Sequence, residues 1–181
     1  PQAVADTAAI AAQLADLQAR VKDRDPHGIL ELALTGDLRG KTAVVSSFGA
    51  ESAVLLKLVA EIDPNTPILF LNTGKLFGET LRYRDRLQDA LGLGDVRSLS
   101  PSLEQRNAKD PLLTESYYLQ RALEPFAAQV TGRKRFQTKE RADMQPVEFF
   151  DGRYRFNPLW QWDLHQLEAF MERHNLPRHP L

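Results

Sequence analysis

Ser46, Ser47, Phe48, Gly49, Ala50, Glu51 and Ser52 combine three hydroxyl side chains with small residues that leave backbone amides open to a ligand. A short apolar, β-branched run precedes them and an apolar helical run begins at Ser52, so the pattern predicts a strand-to-helix turn. At such a turn the unpaired N–H groups and the positive end of the helix dipole converge, which suits a phosphate or sulfate. Gly49 allows close approach of backbone to ligand. The same residues also fit an ordinary turn with a serine cap. The GxxxxGK[ST] spacing of a Walker A loop is absent.

Two further stretches carry usable chemistry. Leu71, Asn72, Thr73, Gly74 and Lys75 close a second apolar run, with Asn72 and Thr73 able to bond a base or ribose and Lys75 able to meet a phosphate. Gly132, Arg133, Lys134, Arg135, Phe136, Gln137, Thr138 and Lys139 place four cations within seven positions of an otherwise neutral chain. Arginine grips phosphate or sulfate through paired N–H bonds, so this run suits a multiply charged anion. A polar turn and a solvated basic stretch are the plain alternatives for the two segments. Arg153 and Arg155 either add to the same field or face water. Phe48, Phe136, Trp160 and Trp162 are candidates for stacking on adenine or for the core, and Arg178 and His179 lie within reach of such a pocket in principle.

Other chemistries are closed off by composition. The 181 residues contain no cysteine, which removes thiol nucleophiles, disulfides, iron–sulfur clusters and thiolate zinc sites from these residues. His27, His165, His174 and His179 are scattered and none forms a His-x-x-x-His pair, so no metal site is expected. Lys and Arg number 23 against 24 Asp and Glu, a net charge of −1 that disfavours a general nucleic-acid binder. No apolar run approaches the roughly 20 residues of a membrane span, and the N-terminal segment lacks an unbroken apolar stretch, so a soluble cytoplasmic protein is expected. A start at Pro1 and a stop at Leu181 read as a processed, trimmed or partly ordered chain.

The elements that must position these residues follow from periodicity. Ile10, Leu14, Leu17 and Val21 mark an amphipathic helix, and residues 26–34 a second one ended by Gly36. Residues 42–46 and 68–71 are apolar strands, each followed by a polar turn and a helix, over 52–59 and 79–91, with a third strand at 95–99. Residues 106–115 read as loop, 117–126 as helix, and 129–132 as a further strand end. Residues 148–156 alternate around Asp151 and Gly152, a hairpin signal, and residues 163–174 form a final helix with Asp163 as N-cap. The 181 residues are read as one α/β domain, a parallel twisted sheet with helices on both faces. Sites in such sheets lie at the carboxyl ends of the strands.

Taken in order, SSFGAES, LNTGKLFGETLRYRD, TGRKRFQ, FNPLWQW and LPRHPL resemble the phosphoadenylyl-sulfate and adenylyl-sulfate reductase family from about Lys41 to Leu181. The resemblance implies a fold like the adenine-nucleotide α-hydrolases and N-type ATP pyrophosphatases. It implies a role in assimilatory sulfate reduction and cysteine biosynthesis, reducing adenylyl sulfate (APS) or 3′-phosphoadenylyl sulfate (PAPS) to sulfite and AMP or PAP. Residues 46–52, 71–74 and 132–137 correspond to the family's nucleotide-binding loops. Lys134 and Arg135 would neutralise the anion. In the family a cysteine near the C-terminus attacks the sulfate sulfur, and thioredoxin or glutaredoxin then releases sulfite. Homo-oligomer formation is left open.

The sequence departs from that pattern in two places. Many relatives hold a [4Fe–4S] cluster through a Cys-Cys pair before the helix that here includes Leu119, and a Cys-x-x-Cys beyond the HPL motif. Here the first region carries no cysteine and the second lies past Leu181, as does the nucleophile-bearing tail. Two explanations are open: an ordered portion of a longer enzyme, which the intact remaining motifs favour, or a nucleotide-binding remnant or sensor. An ATP pyrophosphatase or adenylyl transferase is a further alternative, although Phe48 and Glu51 stand where its Ser-Gly-Gly-x-Asp-Ser pattern differs. APS is favoured slightly over PAPS.

Overall fold

Short β-branched runs bounded by polar turns become the central strands because burial on both faces selects for them. The computed structural model describes residues 2–71, 78–99, 115–137 and 143–180. Six strands, β1 (Thr42–Val45), β2 (Ile68–Leu71), β3 (Val96–Leu99), β4 (Ala128–Val130), β5 (Val147–Phe150) and β6 (Arg153–Phe156), form one sheet in the order β3-β2-β1-β4-β6-β5. All neighbours are parallel except β5 and β6. Those two form the expected hairpin: Asp151 and Gly152 have φ of 50° and 85°, the left-handed pair a tight two-residue turn requires.

Among the described residues the α-helices are α1 (Gln2–Val21), α2 (Pro26–Leu34), α3 (Ser52–Ile62), α4 (Gly78–Leu91), α5 (Glu115–Leu123) and α6 (Leu164–Arg173). Strand alternation divides the interior in two. Val44, Ile68, Phe70, Val130 and Phe156 point into the main core with side chains of α1, α2, α3, α4 and α6. Ala43 and Leu69 point the other way, onto Leu123 of α5. The right-handed crossover rule accounts for this split: β1-α3-β2 and β2-α4-β3 advance one way along the sheet, and β3-α5-β4 runs back the other. Helix α5 ends at Leu123, three residues before the predicted limit, and Phe126 caps the turn by donating its amide to Leu123 O at 2.9 Å. Helix α6 opens with Asp163 and Gln166 in a reciprocal capping box. The predicted loop at 106–115 lies outside the described residues up to 114. Among the described residues no helix is long and apolar enough to cross a membrane.

The segment after α6 folds back on the first turns of α4. Tyr83 Oη donates to Pro177 O at 2.7 Å, the His179 ring Nε2 is 2.9 Å from Thr80 Oγ1, and the Tyr83 and His179 rings meet edge to face at 5.1 Å. Burial pushes the Tyr83 phenol up to about 12, against the opposing pull of Arg86 and Arg178. The neutral phenol is therefore favoured by the fold. Its contribution is complete below about pH 10, the unfolded value, and is lost as pH rises through the folded value. Denaturant titrations at pH 8 and pH 11.5 should show the wild type losing stability over this interval, whereas Tyr83→Phe should flatten that loss. At pH 8 the variant should be less stable by about 1 kcal/mol, from the missing hydrogen bond.

Candidate functional site

Strand order reverses between β1 and β4, because β1 continues to β2 on one side while β4 continues to β6 on the other. A crevice opens at such a reversal, outside the carboxyl ends of the strands. The turn after β1 and the loop after β4 line a cavity of about 470 Å³ there.

The turn after β1 is shaped by local bonds. Phe48 N–H donates to Ser46 Oγ at 3.1 Å, Gly49 N–H donates to Ser47 Oγ at 3.3 Å, and Ser52 donates both its N–H and its hydroxyl to Gly49 O. Ser46, Ser47, Gly49, Ala50, Glu51 and Ser52 line the cavity. Phe48 does not: its ring is fully buried, edge to face against Phe70 at 5.1 Å. The left-handed residue of the turn is Phe48, with φ of 53°, rather than Gly49. The ring's burial offsets the strain of that conformation.

The loop after β4 brings Gly132, Arg133, Lys134 and Gln137 to the same cavity. Lys134 is the buried charge within it. Its side chain is only 5% exposed, its ammonium donates to Gly132 O, and it lies 3.3 Å from Glu51 Oε2 across the cavity. Arg135 departs from the predicted grouping. Its guanidinium stacks over Trp160 at 4.5 Å, outside the cavity lining. The 3₁₀ turn Arg135–Gln137 is the reason, since successive side chains there diverge by about 120°. Phe136, beside it, is exposed.

Asn157 holds this loop in place, and sequence reading did not single it out. Thr131 Oγ1 donates to Asn157 Oδ1 at 2.6 Å and accepts from Arg133 N–H at 3.3 Å. Asn157 Nδ2 donates to Gln145 O at 2.9 Å and to Glu148 Oε2 at 3.0 Å. Arg135 N–H, at the far end of the loop, donates to Trp160 O at 3.1 Å. The basic loop is thus tied to residues 157–160 at both ends. Burial alone would raise the Glu148 carboxyl, but bonds from Arg155, Gln145 N–H and Asn157 hold it below its ordinary value. Leu55 and Leu159 supply apolar lining that sequence reading also missed, because each reads as core.

The remaining candidates lie elsewhere. Arg155 pairs with Glu148 at 2.8 Å and Arg153 with Gln120 at 2.9 Å, so neither adds to the cavity. Arg178 pairs with Glu168 at the surface, and Trp162 packs on Phe170. Leu71 ends β2, while Asn72, Thr73, Gly74 and Lys75 lie outside the described residues.

A mainly parallel sheet with a cavity lined by cations and hydroxyls at its reversal point defines a doubly wound α/β domain. Solved structures agree on the fold. The phosphoadenylyl-sulfate reductase of Candida auris, solved as a phosphate complex, superposes with a TM-score of 0.72 at 21% identity, covering 92% of this chain and 87% of that one. The FMN adenylyltransferase of Candida glabrata bound to ATP gives a TM-score of 0.64 at 17% identity over 93% of this chain and 57% of that one. Residues 41–181 match the phosphoadenosine phosphosulfate reductase domain, and the chain belongs to that family. An adenosine 5′-phosphosulfate reductase of Chelativorans sp. (strain BNC1) is 41% identical over 180 residues, 92% of this chain and 74% of that protein. A [4Fe–4S] cluster is held by thiolates. These residues have none to offer and do not fit one.

Proposed function

We propose that this chain binds adenosine 5′-phosphosulfate at the β1/β4 reversal and presents its sulfuryl group to a thiolate, as the substrate-holding part of an assimilatory sulfonucleotide reductase. The observation that carries the reading is the convergence of the turn after β1 with Arg133 and Lys134 on one cavity, in a chain of this family. The Ser46 and Ser47 hydroxyls accept within the turn and keep their own protons to donate to oxyanions, and Lys134 offsets the charge from a buried position. Leu55 and Leu159 exclude water from one wall. The 5′-phosphosulfate is favoured over its 3′-phosphorylated form because the Chelativorans relative bears that name.

The reaction moves two electrons. A thiolate attacks the sulfate sulfur, the bond from sulfur to the bridging phosphate oxygen breaks, and AMP leaves with that electron pair. A second thiol, from thioredoxin or glutaredoxin, then attacks the S-sulfonate and releases sulfite, leaving a disulfide. Without a cysteine, these 181 residues bind and orient, and the attacking thiolate comes from outside them. Isothermal titration of the chain with APS, PAPS, AMP and PAP tests the reading. APS should bind with a dissociation constant in the micromolar range, and failure of all four to bind at millimolar concentration would overturn it.

A further inference from the structure

Glu51 is the odd group in a cavity otherwise suited to anions, and the role assigned to it rests on the reading of that cavity as a sulfonucleotide site. Its carboxylate is 30% exposed, faces the cavity and lies 3.3 Å from the buried Lys134 ammonium. Among the described residues that line the cavity, Glu51 is the anion set against the cations Arg133 and Lys134. A phosphate bound beside Lys134 shares that ammonium with the carboxylate and is repelled by it.

The repulsion scales with the charge on the phosphate. A terminal phosphate monoester has its second pKa near 6 and is close to doubly charged at neutral pH. A phosphate whose outer oxygen is bonded to another group carries one charge; in a phosphosulfate the second charge lies on the sulfate, beyond the bridging oxygen and farther from a group that faces the phosphate. We propose that Glu51 is a specificity residue that sets this cavity to accept a singly charged phosphate, as in a phosphosulfate anhydride, and to disfavour the doubly charged phosphate of the nucleotide product. The same carboxylate, with Gly132 O, holds the Lys134 ammonium in place at the cavity. Product discharge is then built into the charge balance of the site.

The test compares AMP with its 5′-phosphate methyl ester, which places one charge at the same position, using adenosine as an uncharged control. Dissociation constants are measured at pH 7.5 for wild type, Glu51→Gln and Glu51→Asp. The wild type should prefer the methyl ester to AMP. Glu51→Gln should tighten AMP about tenfold, change the methyl ester less than threefold and leave adenosine unchanged, while Glu51→Asp should retain the wild-type preference. An unchanged ratio of AMP to methyl ester in Glu51→Gln would overturn the inference, as would a parallel change for adenosine, the mark of a purely structural role. Wild-type protein that binds none of the adenine nucleotides would instead overturn the reading of the cavity, and the inference with it.

Discussion

Lys134→Ala should weaken adenosine 5′-phosphosulfate binding about 100-fold, while Arg135→Ala should change it less than threefold. The adjacent cations differ in where the backbone sends them. Lys134 is buried in the cavity between Gly132 O and Glu51, whereas Arg135 lies on the outer face of Trp160. A charge-assisted bond to an oxyanion contributes about 1.5–3 kcal/mol, or roughly 10- to 150-fold in affinity. The upper part of that range applies because truncation also leaves the Glu51 carboxylate facing the ligand without its counter-ion. Calorimetric titration of both variants against the same nucleotide reads the contrast directly. Equal losses in the two would mean that the basic run acts as a diffuse field and not through one placed ammonium.

Asn157→Ala should lower stability by about 3 kcal/mol and the melting temperature by about 6–12 °C. The side chain is fully buried and makes three hydrogen bonds, to Thr131, Gln145 and Glu148. Truncation strands the Thr131 hydroxyl and the Gln145 carbonyl, and unpaired buried groups carry most of the cost of such changes. Asn157→Asp should destabilise at least as strongly at neutral pH, since it sets a second carboxylate against Glu148. That excess should shrink on acidification as one carboxyl takes up a proton. Thermal melts at pH 7 and pH 5 measure both effects. A loss under 1 kcal/mol for the alanine variant would remove Asn157 as the anchor of the basic loop.

These two residues mark where the sequence is legible and where it is not. The strand-to-helix turns, the hairpin at Asp151 and Gly152 and the cap at Asp163 are local, and each is written in a few adjacent residues. The convergence of residues 46–52 with 132–134 is not local. It depends on β4 pairing with β1 rather than with β3, a choice made by the crossover through α5 and invisible to periodicity. Asn157 looks like a turn residue before a proline, because its partners Thr131 and Gln145 are 26 and 12 positions away. The departure of Arg135 follows from one turn of 3₁₀ helix in a run that reads only as basic. Leu55 and Leu159 line the site, yet nothing in their type separates them from the core.

The buried ring of Phe48 bears on how a ligand enters. Its backbone sits in a conformation that an aromatic residue rarely adopts, and its side chain is packed on Phe70 in the interior. The oxyanion seat therefore cannot hinge open without drawing a phenyl group into water, at about 2–3 kcal/mol for the transfer alone. Amide exchange at Phe48, whose N–H is bonded to the buried Ser46 hydroxyl, is thereby coupled to unpacking of its ring rather than to local fraying. On the function proposed above, a nucleotide would meet a preformed receptor on this side, and the charges around it would steer its capture.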